Sequence, residues 1–98
     1  MAQASETYRR ALVIAREQGQ LSTIAELYTQ LGSLAEAQAE WDTARTEYHH
    51  ALDVYQEMEQ PLEQAATWSR LGDMHRTAEQ YTDATDAYDS ARKLYQSN

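Results

Sequence analysis

Residues 41–55, WDTARTEYHHALDVY, and residues 81–95, YTDATDAYDSARKLY, share one pattern. Ala44, Tyr48, Ala51 and Tyr55 recur forty positions later as Ala84, Tyr88, Ala91 and Tyr95. Working outward, the same shift lays Ala25 on Ala65 and Leu31-Gly32 on Leu71-Gly72, with Tyr28 on Trp68 and Trp41 on Tyr81. In the other direction Ala4, Tyr8, Ala11 and Leu12 fall on Ala44, Tyr48, Ala51 and Leu52. The matches sit at small or large apolar positions with helical spacing: Tyr48, Ala51, Leu52 and Tyr55 are i, i+3, i+4 and i+7. The chain is therefore read as a helical repeat before anything else.

Five helices follow, over residues 2–18, 21–37, 41–57, 61–77 and 81–97. Gly19 suits the left-handed position that closes the first helix, and Pro61 the first turn of the fourth. Thr23 with Glu26 offers a capping box if the second helix starts late. Glycine inside a helix costs up to about 1 kcal/mol. Its recurrence at Gly32 and Gly72 therefore calls for close approach of a neighbouring helix, and a large residue at Gly32 should force the pair apart.

These residues resemble the tetratricopeptide repeat. Its first-helix pattern appears as Tyr28-x₂-Leu31-Gly32-x₂-Ala35 and Trp68-x₂-Leu71-Gly72-x₂-His75. Its second-helix pattern appears as Trp41-x₂-Ala44-x₃-Tyr48-x₂-Ala51 and Tyr81-x₂-Ala84-x₃-Tyr88-x₂-Ala91. The forty-residue period is similar to the longer subclass of that family. The resemblance implies an all-α, right-handed solenoid of antiparallel helix pairs in one domain. Residues 1–20 would be a half repeat with only the second helix, and 21–60 and 61–98 two full repeats. Ala35 and His75 depart from the family's second aromatic, and Ala39 and Glu79 stand where the turn usually has glycine. With no Gly or Pro from Ser33 to Glu59, nothing local prevents the paired helices from running on as one rod. Exchange of helices between chains is therefore an expectation beside folding back.

The resemblance also implies a non-catalytic interaction module that takes a peptide segment of a partner along the first helices of the repeats. The positions that would face that groove are Glu26, Thr29, Gln30, Ser33 and Glu36, then Ala66, Ser69, Arg70, Asp73, Arg76 and Thr77. Short polar side chains there suit hydrogen bonds to a peptide backbone. Arg70 and Arg76 either fork onto a partner's carboxylate or merely balance Asp73 and Glu63 on a solvated surface. The carboxylate-clamp pattern of chaperone-tail receptors is missing, since Thr29, Ser33 and Asp73 occupy three of its positions.

Composition narrows the rest. The 98 residues hold eight basic and sixteen acidic side chains, a net charge of −8. That argues against a nucleic-acid grip or an anionic membrane surface, and the acidic residues spread over all five helices read as solubility. No apolar run approaches a membrane span, so no insertion is expected. The absence of cysteine fits a reducing, cytoplasmic setting. No phosphate loop, catalytic triad or cofactor motif is present. Glu47-x-x-His50 fits one element of a di-iron site but has no second copy, so no metal or cofactor is expected. His75 is read as a packed, hydrogen-bonded imidazole. The alternative function is self-assembly. Tyr8, Leu12, Val13 and Ile14 on the first helix, and Leu94 and Tyr95 on the last, lack a partner within the chain and would meet a second copy by end-to-end stacking or helix exchange.

Overall fold

The computed structural model describes residues 2–97, with side chains from Ala4 onward; Met1 and Asn98 lie outside the described residues. Five α-helices follow one another: α1 (Ala2–Glu17), α2 (Leu21–Ala37), α3 (Trp41–Glu57), α4 (Pro61–Thr77) and α5 (Tyr81–Ser97). Among the described residues there is no strand. Each helix packs on its sequence neighbours, most extensively α2 on α3 and α4 on α5. That nearest-neighbour pattern marks a helical-repeat solenoid, here a slab of 34 × 31 × 12 Å.

The links are only three residues long, at 18–20, 38–40, 58–60 and 78–80. Their middle residues, Gly19, Ala39, Glu59 and Glu79, are all left-handed, with φ of 65°, 58°, 55° and 62°. Each link closes its helix with the same double hydrogen bond. Glu40 N–H donates to the Ala35 carbonyl at 2.9 Å and Ala39 N–H to Glu36 at 2.9 Å; Gln60 and Glu59 do the same to Tyr55 and Gln56, and Gln80 and Glu79 to His75 and Arg76. This is a Schellman closure. The residue that completes it also starts the next helix, for the carbonyls of Gln20, Glu40, Gln60 and Gln80 accept from Ile24, Ala44, Gln64 and Ala84. The forty-residue period is thus built from twenty-residue units, a helix plus a link. The glycine-free links, which left a continuous rod open, fold the chain back on itself. Because α2 begins at Leu21 behind Gln20 with no side-chain cap, the Thr23–Glu26 capping box does not form.

Two clusters make the core. Leu12 and Ala15 of α1 join Ile24, Ala25, Tyr28 and Leu31 of α2 and Ala51 and Tyr55 of α3. Ala35 of α2 joins Ala44, Tyr48 and Leu52 of α3, Leu71 and Met74 of α4 and Ala87 of α5. The recurring alanines are the contact points, since Ala25, Ala44, Ala51 and Ala65 are fully buried and Ala84 and Ala91 nearly so. Burying the large side chains Tyr48, Leu71 and Met74 contributes about 1.5–3 kcal/mol each.

Gly32 and Gly72 sit where a tyrosine ring of the following helix crosses. A Cβ on Gly32 would lie 2.8 Å from Cδ1 and Cε1 of Tyr48, and one on Gly72 would lie 2.5 Å from Cε1 of Tyr88. The close approach expected from sequence is therefore ring against backbone. Gly32→Ala gains about 1 kcal/mol of helix propensity but forces a buried ring to move, at about 1–3 kcal/mol. A net loss of about 1 kcal/mol is expected in urea unfolding. A left-handed conformation disfavours Ala39, Glu59 and Glu79 by about 1 kcal/mol each. Replacing all three by glycine should therefore stabilise the chain by about 1 kcal/mol or more, after the added unfolded-state entropy is subtracted. A lower melting temperature for the triple variant would contradict the left-handed links.

Candidate functional site

α2 and α4 both lie against α3, and the space between them forms a channel floored by α3. The helical spacing of its lining is direct. Glu26, Thr29, Gln30, Ser33, Glu36 and Ala37 come from one face of α2. Glu63, Ala66, Thr67, Arg70, Asp73 and Thr77 come from one face of α4. The channel comprises two adjoining clefts. One, of 410 Å³, is bounded by Ser33, Glu36, Ala37, Trp41, Tyr48, Arg70, Asp73 and Thr77. The other, of 290 Å³, is bounded by Glu26, Thr29, Gln30, Tyr55, Glu63, Ala66, Thr67 and Arg70. Arg70 belongs to both.

Of the residues expected to face a groove, Glu26, Thr29, Gln30, Ser33, Glu36, Ala66, Arg70, Asp73 and Thr77 line this channel. Ser69 and Arg76 do not line either cleft. Ser69 is half-buried, and Arg76 is exposed with its guanidinium 3.6 Å from Asp73 Oδ1. Within α4 this contact partly offsets the Asp73 charge.

The floor was not foreseen from the sequence. Tyr48 is 1% exposed and Tyr55 8%, yet both contribute to the channel. Each ring is core while its hydroxyl reaches polar groups. The Tyr48 hydroxyl donates to Glu36 Oε1 at 2.8 Å and lies 3.2 Å from Ser33 Oγ. One repeat later the Tyr88 hydroxyl donates to Asp73. Burial raises the pKa of both Tyr48 and Tyr55; Ser33 and Thr29 respectively act against it, as does the Arg70 charge in both cases. Arg70 therefore acts on both hydroxyls from between them. Composition held the signal: the chain has seven Tyr and no Phe, and a buried phenol needs a partner for its O–H where a phenyl ring would not.

On the side of α3 away from this floor, Glu47 is 4% exposed. The Arg9 guanidinium reaches Glu47 Oε2 at 2.8 Å from α1, and His50 Nδ1 lies 3.3 Å from Oε1. The Glu47-x-x-His50 pair thus meets, but its carboxylate ties α1 to α3. Among the described residues no group of three or more His, Asp and Glu side chains is placed to hold a metal ion. His75 is 7% exposed and its Nδ1 lies 2.7 Å from Gln80 Oε1, the packed, hydrogen-bonded imidazole that was expected.

The residues assigned to self-association divide. Leu12 is 5% exposed and packs in the α1–α2–α3 core, which corrects its assignment to an open face; α2 and α3 cover it. Tyr8 is half-buried against the same cluster, and Leu94 is half-buried. Val13, Ile14 and Tyr95 are 55%, 53% and 51% exposed. No helix among the described residues is long and apolar enough to cross a membrane.

The family model described as SNAP, soluble NSF attachment protein, matches residues 1–98. No curated protein and no solved structure matches the chain significantly.

Outside the channel, α3 also carries a titrating group. His49 meets Trp68 edge-on with ring centroids 5.5 Å apart. Burial lowers its pKa from the ordinary 6.5, Asp53 opposes this, and Arg45, His75 and His50 add to it. The folded chain thus takes up this proton less readily than the unfolded chain. Its contribution favours folding above the ordinary pKa and is lost as pH falls through that value towards the lowered one. The melting temperature should fall between about pH 7.5 and pH 5.5, and His49→Gln should reduce that fall. An identical fall in the variant would exclude His49 as its source.

Proposed function

The chain belongs to the soluble NSF attachment protein family, a TPR-like helical-repeat family of protein-interaction modules, and on that basis we propose that the channel between α2 and α4 takes a peptide segment of a partner protein. The module works without catalysis, by presenting a preformed wall. In this reading residues 1–20 form a half repeat and 21–60 and 61–98 full repeats of the longer tetratricopeptide type, so that α2 and α4 are the two equivalent groove-lining helices.

The observation that carries the proposal is Arg70. Its exposed guanidinium stands where the two clefts meet, and among the described residues it has no ion-pair partner. The Gln30 amide suits a peptide backbone, and Thr29 and Thr77, whose hydroxyls donate to the Ala25 and Asp73 carbonyls, keep acceptor oxygens beside it. Tyr48 and Tyr55 hold the floor rigid, which lowers the ordering cost of binding. A guanidinium aimed into such a channel matches a carboxylate with two parallel hydrogen bonds.

Self-assembly is supported by the adjacent exposed Val13 and Ile14 on α1 and by the exposed Tyr95 on α5. The two readings separate in one experiment. Arg70→Ala should weaken capture of a peptide bearing one acidic side chain about tenfold, the loss of a charge-assisted hydrogen bond, while Arg70→Lys restores part of it. Helicity by circular dichroism should be unchanged, since the side chain is exposed. Capture that survives Arg70→Ala would remove the groove reading. A sedimentation coefficient that drops in Val13→Glu with Ile14→Glu, while capture persists, would assign self-association to α1 instead.

A further inference from the structure

Charge is distributed unevenly along the channel. At one end Glu26 of α2 and Glu63 of α4 line the same cleft, and both raise the pKa of the Tyr55 hydroxyl beneath them after the larger effect of burial. At the other end Glu36 and Asp73 line the second cleft and accept the hydroxyls of Tyr48 and Tyr88. Arg70 alone carries positive charge within the lining. The channel therefore reads acidic, basic, acidic along its length. Arg76 offsets Asp73 from outside the channel at 3.6 Å. Among the described residues no cation pairs with Glu26, Glu63 or Glu36.

We infer that the segment this channel takes carries one acidic side chain between basic ones. The inference rests on the groove reading above and specifies its partner. A uniformly acidic ligand, which Arg70 alone would favour, meets like charge at both ends, and like-charge contacts at an interface select against such partners. A uniformly basic ligand meets the Arg70 guanidinium at the centre. Only alternation satisfies the whole channel. Spacing follows from helix geometry: at about 1.5 Å per residue, Glu63 lies about 10 Å along α4 from Arg70 on one side, and Glu36, forty positions before Arg76, about 9 Å from its register on the other, with Asp73 nearer at about 4.5 Å. An extended chain covers the longer distances in about three residues. The matching ligand therefore places Lys or Arg about three positions to either side of an Asp or Glu.

The test uses three blocked peptides on the intact chain: Lys-Ser-Thr-Glu-Ser-Thr-Lys, the same peptide with serine in place of both lysines, and the same with glutamate there. Binding is followed by amide shifts of α2 and α4 and by the Trp41 indole, which lies in the channel lining. The lysine-flanked peptide should bind about five-fold tighter than the serine-flanked one, as expected for exposed ion pairs, and the glutamate-flanked one should bind weakest. Glu26→Gln with Glu63→Gln should reduce the lysine preference, and raising the salt concentration should do the same. Equal binding of the lysine and serine peptides, or a lysine preference unchanged in the double variant, overturns the inference while leaving the groove reading intact, provided Arg70→Ala still weakens all three. If none of the peptides shifts the channel, or if Arg70→Ala leaves binding unchanged, both readings fall.

Discussion

The contact on which the rest depends is a tyrosine ring laid across a glycine of the preceding helix. Tyr48 crosses Gly32 and Tyr88 crosses Gly72 at distances that leave no room for a Cβ. Each crossing fixes how closely the two helices of a hairpin approach. Because the ring is longer than the contact needs, it also carries its hydroxyl through to the far side of the pair. There the oxygen meets Glu36 in one hairpin and Asp73 in the other. One interaction therefore sets the hairpin spacing and holds Glu36 and Asp73, two of the channel's four carboxylates, in place.

The links add a second constraint of a different kind. Three residues reverse the chain each time, and the last of them is shared between the end of one helix and the start of the next. Such short links leave little freedom in the angle between helices, so the disposition of α2 and α4 over α3 is set by local backbone geometry as well as by packing. Three of the four left-handed positions are held by non-glycine residues. The surrounding hydrogen bonds and the buried helix faces outweigh that local cost.

Much of this was legible in the residues. The recurrence of Ala44, Tyr48 and Ala51 as Ala84, Tyr88 and Ala91 carries the fold, because small side chains at helical spacing have few uses other than close packing. Gly32 and Gly72 announced a tight approach, although sequence could not say that the approaching group is a phenol ring. The groove positions on α2 and α4 followed from the resemblance to the tetratricopeptide repeat, and Arg70 stands among them. Arg76 could not be separated from Arg70 on that basis, since both lie near the same face and only the packed geometry pairs Arg76 with Asp73. Glu47 was invisible as a buried charge because its partner Arg9 is 38 positions away, outside any local pattern. Leu12 looked unpartnered only because the helix that covers it follows it in the chain. Ala39 and Glu79 misled for a physical reason: left-handed geometry is stabilised by tertiary context that propensities do not contain.

Contacts concentrated between successive helices also shape how the chain acquires and loses structure. No distant pairing has to be found before local packing is rewarded, so the search is short and loop-closure entropy is small. Order can spread from a central hairpin towards both termini. By the same token α1 and α5, each supported on one side within the chain, open more readily than α3, which is gripped from both sides. The channel's walls and floor, α2, α4 and α3, are therefore all built on helices gripped from both sides, and its shape outlasts local opening of α1 or α5.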